Sequence, residues 1–169
     1  MTRDTGHQEE DSAILYFAYG SNLDWAQIRR RCPSTKAVSV ASARGYRLAF
    51  TRFSMNRQCG AADILPSPGD EVWGMLYQID ESEIGVLDEC EGFRPGRPRE
   101  ENAYERVEID VWKAGAALKP QRVWTYMVVR KLDPCPRPSA HYKGLMVNGA
   151  RHWGFPTGYL ERLEAIEIQ

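Results

Sequence analysis

Six apolar residues in a row, 14–19, stop at Gly20-Ser21-Asn22. A short apolar run closed by turn residues predicts a buried strand, and residues 23–31 behind it predict a helix. Tyr46, Leu48 and Phe50 recur at every second position, the period of a strand near 45–52. Residues 61–65 and 72–79 flank Ser67-Pro68-Gly69-Asp70, which predicts two strands joined as a hairpin. Val107, Ile109 and Val111 keep the same period for a strand near 103–112, and 122–129 reads as another. Six strands against about three helices, without regular strand–helix alternation, predict an α+β fold with a small closed or nearly closed sheet. No repeat or linker interrupts 12–169, which is expected to form a single domain behind a loose polar tail at 1–11.

The stretch DESEIGVLDECEG, residues 80–92, predicts a capped helix. Asp80 is a good N-cap, Glu83 stands three residues later in a capping-box arrangement, and Gly92 suits the position just past the C-terminus. At about 100° per residue, Ile84, Val86, Leu87 and Cys90 make one apolar stripe. Glu91 falls inside that stripe, four residues after Leu87, while Asp88 lies at its edge and Glu89 points away. An inward carboxylate is costly unless paired, hydrogen-bonded or protonated. It bends out to water, pairs with an arginine, or serves as a general acid/base with an upward-tuned pKa. The pattern alone leaves these open.

The turn Tyr19-Gly20-Ser21-Asn22-Leu23 carries a similar ambiguity. Ser21, Asn22 or Asp24 can cap the following helix, and Gly20 permits a φ that other residues resist. The same backbone N–H groups, exposed at a helix start, can hold a carboxylate or an oxyanion.

Composition removes several function classes. Lys and Arg total 22 against 23 Asp and Glu, a net charge of −1, so neither nucleic acid nor an anionic membrane is an expected partner. Arg29-Arg30-Arg31 reads as a solvated helix end complementing the dipole. The four cysteines form no CxxC, and the three histidines do not pair at ligand spacing. Zinc and redox dithiol chemistry are therefore not suggested, and a reduced, cytoplasmic setting is expected. The apolar run at 14–19 is too short for a signal or a span and follows an acidic segment.

Five segments occur in an order that resembles the γ-glutamylcyclotransferase family, which is related to AIG2-like proteins. They are YFAYGSNL (16–23), SPGDEVWG (67–74), LDECEG (87–92), SAHYKGLMVNGA (139–150) and GFPTGYLERLEAIE (154–167). The resemblance implies a small mixed β-barrel with a few flanking helices, and neither metal nor organic cofactor. It implies a small-molecule γ-glutamyl substrate that closes to 5-oxoproline as an amine or amino acid leaves. Under it Glu91 is the catalytic carboxylate. Tyr16, Phe17, Ala18, Tyr19, Gly20, Ser21, Asn22 and Leu23 form the substrate loop, and the Tyr142 phenol contacts substrate. Ser21 is expected as a cap or substrate donor rather than a nucleophile, since no histidine motif accompanies it. Residues 94–100 depart from the resemblance: RPGRPRE is longer and more basic than in the glutathione-degrading members. The segment is expected near the pocket mouth, either as a solvated loop or as a selector of the leaving group. Three functions follow as alternatives: a γ-glutamyl cyclotransferase releasing an amino acid or amine, a member specialised for γ-glutamylamines or a γ-glutamyl-protected biosynthetic intermediate, and a catalytically silent γ-glutamyl-binding module. A homodimer is left open as an assembly.

Overall fold

The computed structural model describes residues 12–116 and 118–169, and the expected tail at 1–11 lies outside them. The apolar run becomes β1 (Ala13–Ala18), followed by a 3-10 turn (Ser21–Leu23) and α1 (Trp25–Arg31). Then come β2 (Lys36–Ser54), β3 (Cys59–Asp80), a 3-10 turn (Glu81–Glu83), α2 (Ile84–Cys90), β4 (Tyr104–Lys113), β5 (Gln121–Val128), α3 (Ala140–His152) and α4 (Thr157–Glu164). The strands close into a barrel in the order β1-β3-β2-β4-β5. All neighbours are antiparallel except β1 and β5, which pair in parallel at Tyr16 and Trp124. The architecture is therefore a small mixed barrel with helices around it. β1 has partners on both edges, and its second half is buried, which is why it reads as a continuous apolar run.

Two sequence expectations change. Residues 61–65 and 72–79 do not pair with each other; both belong to β3, and both pair with β2. The hairpin turn is at 55–58 instead. Ser67-Pro68-Gly69-Asp70 bulges out of β3: Arg44 pairs with Glu71 and Tyr46 with Pro66, so these four residues of β3 stand opposite Gly45 alone in β2. Turn residues and a strand proline are compatible with such a bulge because the same partner strand resumes on the other side. Six expected strands thus become five.

The second change is in α2. Ile84 and Leu87 do face inward, but Val86 is 46% exposed and Cys90 is exposed. The buried stripe runs Ile84, Leu87, Asp88, Glu91. Asp88 is 3% exposed because it has partners inside: the Tyr126 hydroxyl donates to it at 2.6 Å and Arg106 at 3.1 Å. Asp80 does cap the chain at Ser82, but Glu83 closes no capping box. Its carboxylate accepts from the Ser34 amide and hydroxyl, tying α2 to the loop after α1. Gly92 ends the helix with φ +64°, as expected of a residue in that position.

The turn after β1 is pinned from several sides. The Tyr77 hydroxyl donates to the Asn22 carbonyl at 3.1 Å, and the Trp153 indole donates to the Leu23 carbonyl at 3.0 Å. α3 presses on the same backbone through Gly149, where a Cβ would lie 2.4 Å from the Leu23 oxygen. No helix among the described residues is long and apolar enough to cross a membrane.

Candidate active site

Glu91 follows the last residue of α2, at the point where the helix meets the turn after β1. Its Oε1 accepts from Asn22 Nδ2 and from Arg31 Nη1, both at 3.3 Å. The side chain is 17% exposed. Burial pushes its carboxyl above the ordinary range, and Arg31, Arg57 and Asn22 offset that only in part. The carboxylate is thus held in place by donors yet remains a better proton acceptor than a surface glutamate.

The turn arranges those donors. Asp24, not Ser21 or Asn22, caps α1 by accepting from the Gln27 amide at 2.8 Å. This frees the other two side chains for the site. Gln27 Nε2 reaches both Ser21 Oγ, at 2.9 Å, and Asn22 Oδ1, at 3.0 Å. Asn22 Oδ1 also accepts from Arg31, and Asn22 Nδ2 donates to the Tyr16 hydroxyl. The Leu23 amide bonds back to the Gly20 carbonyl, whereas Ser21 and Asn22 open the 3-10 turn and their N–H groups have no partner within it.

Gly20 is needed for a different reason than expected. Its φ is −109°, not positive. A Cβ there would approach Ala62 Cβ to 3.1 Å and the Tyr142 hydroxyl to 3.3 Å. Gly20→Val is therefore expected to lower kcat/KM more than Ser21→Ala, by crowding this corner. Equal, wild-type-like kinetics for both variants would show that the corner does not meet the substrate.

Tyr142 sits opposite, in the first turn of α3, whose start Ser139 caps. Its hydroxyl accepts from the Ala62 amide at 3.0 Å, which leaves its own proton available to another acceptor. Burial raises its pKa, so it stays a phenol at neutral pH. Tyr104 donates to the Ala62 carbonyl at 2.8 Å from the other side.

These groups enclose two adjoining spaces. The inner one, about 30 Å³, is walled by Tyr16, Tyr19, Gly20, Asn22, Ala62 and Tyr126. The outer one, about 200 Å³, is walled by Arg31, Arg52, Ser54, Asn56, Arg57 and Ala103, among others. Ser21, Glu91, Tyr104 and Tyr142 line both. Glu91 thus stands at the junction.

Not every expected residue reaches this place. Phe17, Ala18 and Leu23 are fully buried in the core and line neither space. Arg31, expected in solvent, is turned in beside Glu91, while Arg29 and Arg30 remain outside. Glu89, expected to point away, is exposed but forms part of the outer rim. No residue of the basic loop lines the outer space. Arg97 bonds to the Gly92 carbonyl and to Asn102, Arg99 pairs with Glu105, and Arg94 and Arg97 line an adjoining depression that shares Glu89 and Gly92 with the outer space. The cations at the mouth are Arg52 and Arg57, which composition and spacing did not single out. Gln27 was also missed, although it lies four residues before Arg31 on one face of α1.

The AIG2-like family model matches residues 71–163. A mouse gamma-glutamylcyclotransferase is 37% identical over 168 residues, covering 96% of this chain and 84% of the mouse protein. A human gamma-glutamylcyclotransferase is 36% identical, covering 96% of this chain and 82% of the human protein. A solved structure of a gamma-glutamyl cyclotransferase superposes with a TM-score of 0.84 at 33% identity, covering 94% of this chain and 90% of that one. With the barrel, the capped turn and the inward carboxylate in place, this degree of likeness over nearly the full length means that the chain belongs to the γ-glutamylcyclotransferase family.

Proposed function

We propose that the protein converts γ-glutamyl compounds to 5-oxoproline, releasing an amine or amino acid. The observation that carries this reading is a single partly shielded carboxylate, Glu91, with a raised pKa at the junction of two small polar spaces. Among the described residues no histidine lines either space, so Ser21, Ser54 and Cys90 have no such base beside them there. Cyclisation requires no such pair, because the substrate carries its own nucleophile. It also calls for no metal or organic cofactor.

The α-amine attacks the γ-carbonyl carbon, and the carbonyl electrons move onto oxygen. Glu91 removes a proton from the attacking nitrogen and delivers it to the departing nitrogen as the old C–N bond breaks. The carbonyl oxygen enters the inner space, where the Tyr142 phenol and the Ser21 and Asn22 amides are the available donors. Holding the glutamyl chain folded back on itself supplies the other large part, since good intramolecular alignment is worth roughly 7–11 kcal/mol. The α-amine must be neutral to attack, and its pKa is about 8.

The pH dependence follows with a definite sign. On the acid side kcat/KM falls first as pH drops through the α-amine pKa, and more steeply as it drops through that of Glu91, which works as a base only when ionised. Burial raises the Glu91 value, so this second, steeper break is expected above the ordinary glutamate value of about 4.3. A second break at or below that value would remove the tuned-carboxylate role. The broad test is incubation with a panel of γ-glutamyl amino acids and γ-glutamylamines, with detection of 5-oxoproline. Binding without product from any of them would identify a silent module.

A further inference from the structure

Gln27 is 6% exposed on α1 and lines neither space, yet it joins several of the groups that do. Its Oε1 accepts from Arg57 Nη2 at 2.8 Å, and its Nε2 donates to Ser21 Oγ at 2.9 Å and to Asn22 Oδ1 at 3.0 Å. The two ends of a side-chain amide are alike in size and opposite in hydrogen bonding, so its neighbours decide which way it points. Here the deciding neighbours are arginines, which can only donate. Arg57, in the hairpin turn at 55–58, holds the oxygen of Gln27 toward itself. Arg31 donates to Asn22 Oδ1 at 2.9 Å and orients Asn22 in the same way.

The direction of the next bonds is then set. Both amide protons of Gln27 are committed, and Ser21 Oγ and Asn22 Oδ1 receive them. Asn22 presents its Nδ2 to the Tyr16 hydroxyl and to Glu91 Oε1. Ser21 has accepted from Gln27, so its own proton serves another partner. That partner is Tyr142: Ser21 opposes the rise in the phenol's pKa, as a donor to its oxygen does. The Ala62 amide donates to the same oxygen. A phenol oxygen that receives from two donors has its own proton left to give, and Tyr142 lines the inner space.

We propose that Gln27 is a positioning residue for the reaction: held by Arg57, it fixes the direction of the hydrogen bonds through Ser21 and Asn22, so that Tyr142 donates into the inner space and Asn22 donates to Glu91. This polarity matters through the proposed cyclotransferase chemistry, on which the inference rests. The carbonyl oxygen gathers negative charge as the ring closes, and a donor already aimed at it stabilises that charge without reorganising. An acceptor in place of the Gln27 amide nitrogen would draw the Ser21 proton to itself. Tyr142 would then give its proton to Ser21, and the oxygen would lose the phenol. A donor that strengthens as charge develops acts on the transition state more than on the bound substrate, so its loss shows in kcat rather than in KM.

The test compares Gln27→Glu with Gln27→Met. kcat and KM for γ-glutamyl-2-aminobutyrate are measured at neutral pH, after thermal melts confirm that each variant is folded. Glutamate keeps the shape of glutamine and accepts more strongly from Arg57, so a role in packing alone would make it the milder change. It is also acceptor-only when ionised, which reverses the bond to Ser21 and sets an oxygen against Asn22 Oδ1. Methionine removes the bonds without reversing them. Gln27→Glu is therefore expected to lose about a hundredfold in kcat, as for a lost oxyanion donor. Gln27→Met should lose about tenfold, as for a lost neutral hydrogen bond. KM should change less than either. A larger kcat loss in Gln27→Met than in Gln27→Glu would overturn the assignment, and so would a loss confined to KM. Where Gln27→Glu does not fold, Gln27→Met decides alone, and a wild-type kcat overturns the assignment. If wild type forms 5-oxoproline from no γ-glutamyl compound, the cyclotransferase reading fails and the assignment with it. An active wild type with the wrong order among the variants sinks only the assignment.

Discussion

Glu91→Gln is expected to lose about 10²–10⁴ in kcat while the protein stays folded. Glutamine keeps the shape and can still accept from Asn22 and Arg31, but it cannot carry a proton between the two nitrogens. Exposed Glu108 on β4 provides the control, because Glu108→Gln removes a carboxylate remote from the cavity lining. If Glu91→Gln kept more than a tenth of the wild-type kcat, its contribution would be under about 1.4 kcal/mol and the proton-shuttle role would be lost.

The same variant makes a stability prediction with a definite sign. The folded-state pKa of Glu91 is raised, so stability is fully present below the unfolded-state pKa and is lost as pH rises through the folded value. At neutral pH the ionised carboxylate is therefore a net cost to the fold. The Tm of Glu91→Gln should equal or exceed that of wild type at pH 7, and the gap should close as the pH is lowered into the carboxylate range. A lower Tm at pH 7 would mean that the pairing with Arg31 outweighs the burial.

Gly149→Ala should be the most damaging of the small substitutions near the site. The added Cβ would lie 2.4 Å from the Leu23 carbonyl oxygen, 2.5 Å from its carbon and 2.7 Å from its Cβ. Backbone cannot rotate out of the way as a side chain can. The Leu23 carbonyl is also held by Trp153, and its neighbour by Tyr77. Either α3 must lift or the turn must shift, and a shifted turn moves Ser21 and Asn22 relative to Glu91. Overpacking of this kind costs about 1–3 kcal/mol or more, so a Tm fall of several degrees is expected. The useful comparison is Leu163→Ala, a core truncation in α4 that destabilises without touching the turn. Gly149→Ala should reduce kcat/KM well beyond Leu163→Ala at a temperature where both are folded. Equal kinetic effects would reduce Gly149 to a packing residue.

The parts of the site that lie within one element were legible in the sequence. The 3.6-residue period turned Glu91 inward, and the apolar run ending at Gly20-Ser21-Asn22 marked the strand-to-helix turn. What was not legible depends on partners far along the chain. Asp88 looked peripheral because Tyr126 and Arg106, which make its burial tolerable, come from β5 and β4. Arg31 looked like a solvated helix end because Glu91 lies sixty residues away. Ser67-Pro68-Gly69-Asp70 looked like a hairpin turn because a local signal cannot distinguish a reversal from a bulge whose partner strand continues. Gly20 shows a subtler gap: its position was legible, but the steric reason became visible only when Ala62 and Tyr142 stood beside it. The basic loop at 94–100 was misleading because composition does not show that Arg97 and Arg99 are spent on Gly92, Asn102 and Glu105.

The central claim is that the substrate's own amine, not water, attacks the γ-carbonyl. Turnover of γ-glutamyl-2-aminobutyrate in water enriched in ¹⁸O, followed by mass spectrometry of the products, tests it most directly. The account predicts 5-oxoproline without ¹⁸O, formed in one-to-one ratio with free 2-aminobutyrate and at least about a hundredfold more slowly with Glu91→Gln. Glutamate carrying ¹⁸O as the enzymatic product would show hydrolysis and contradict it.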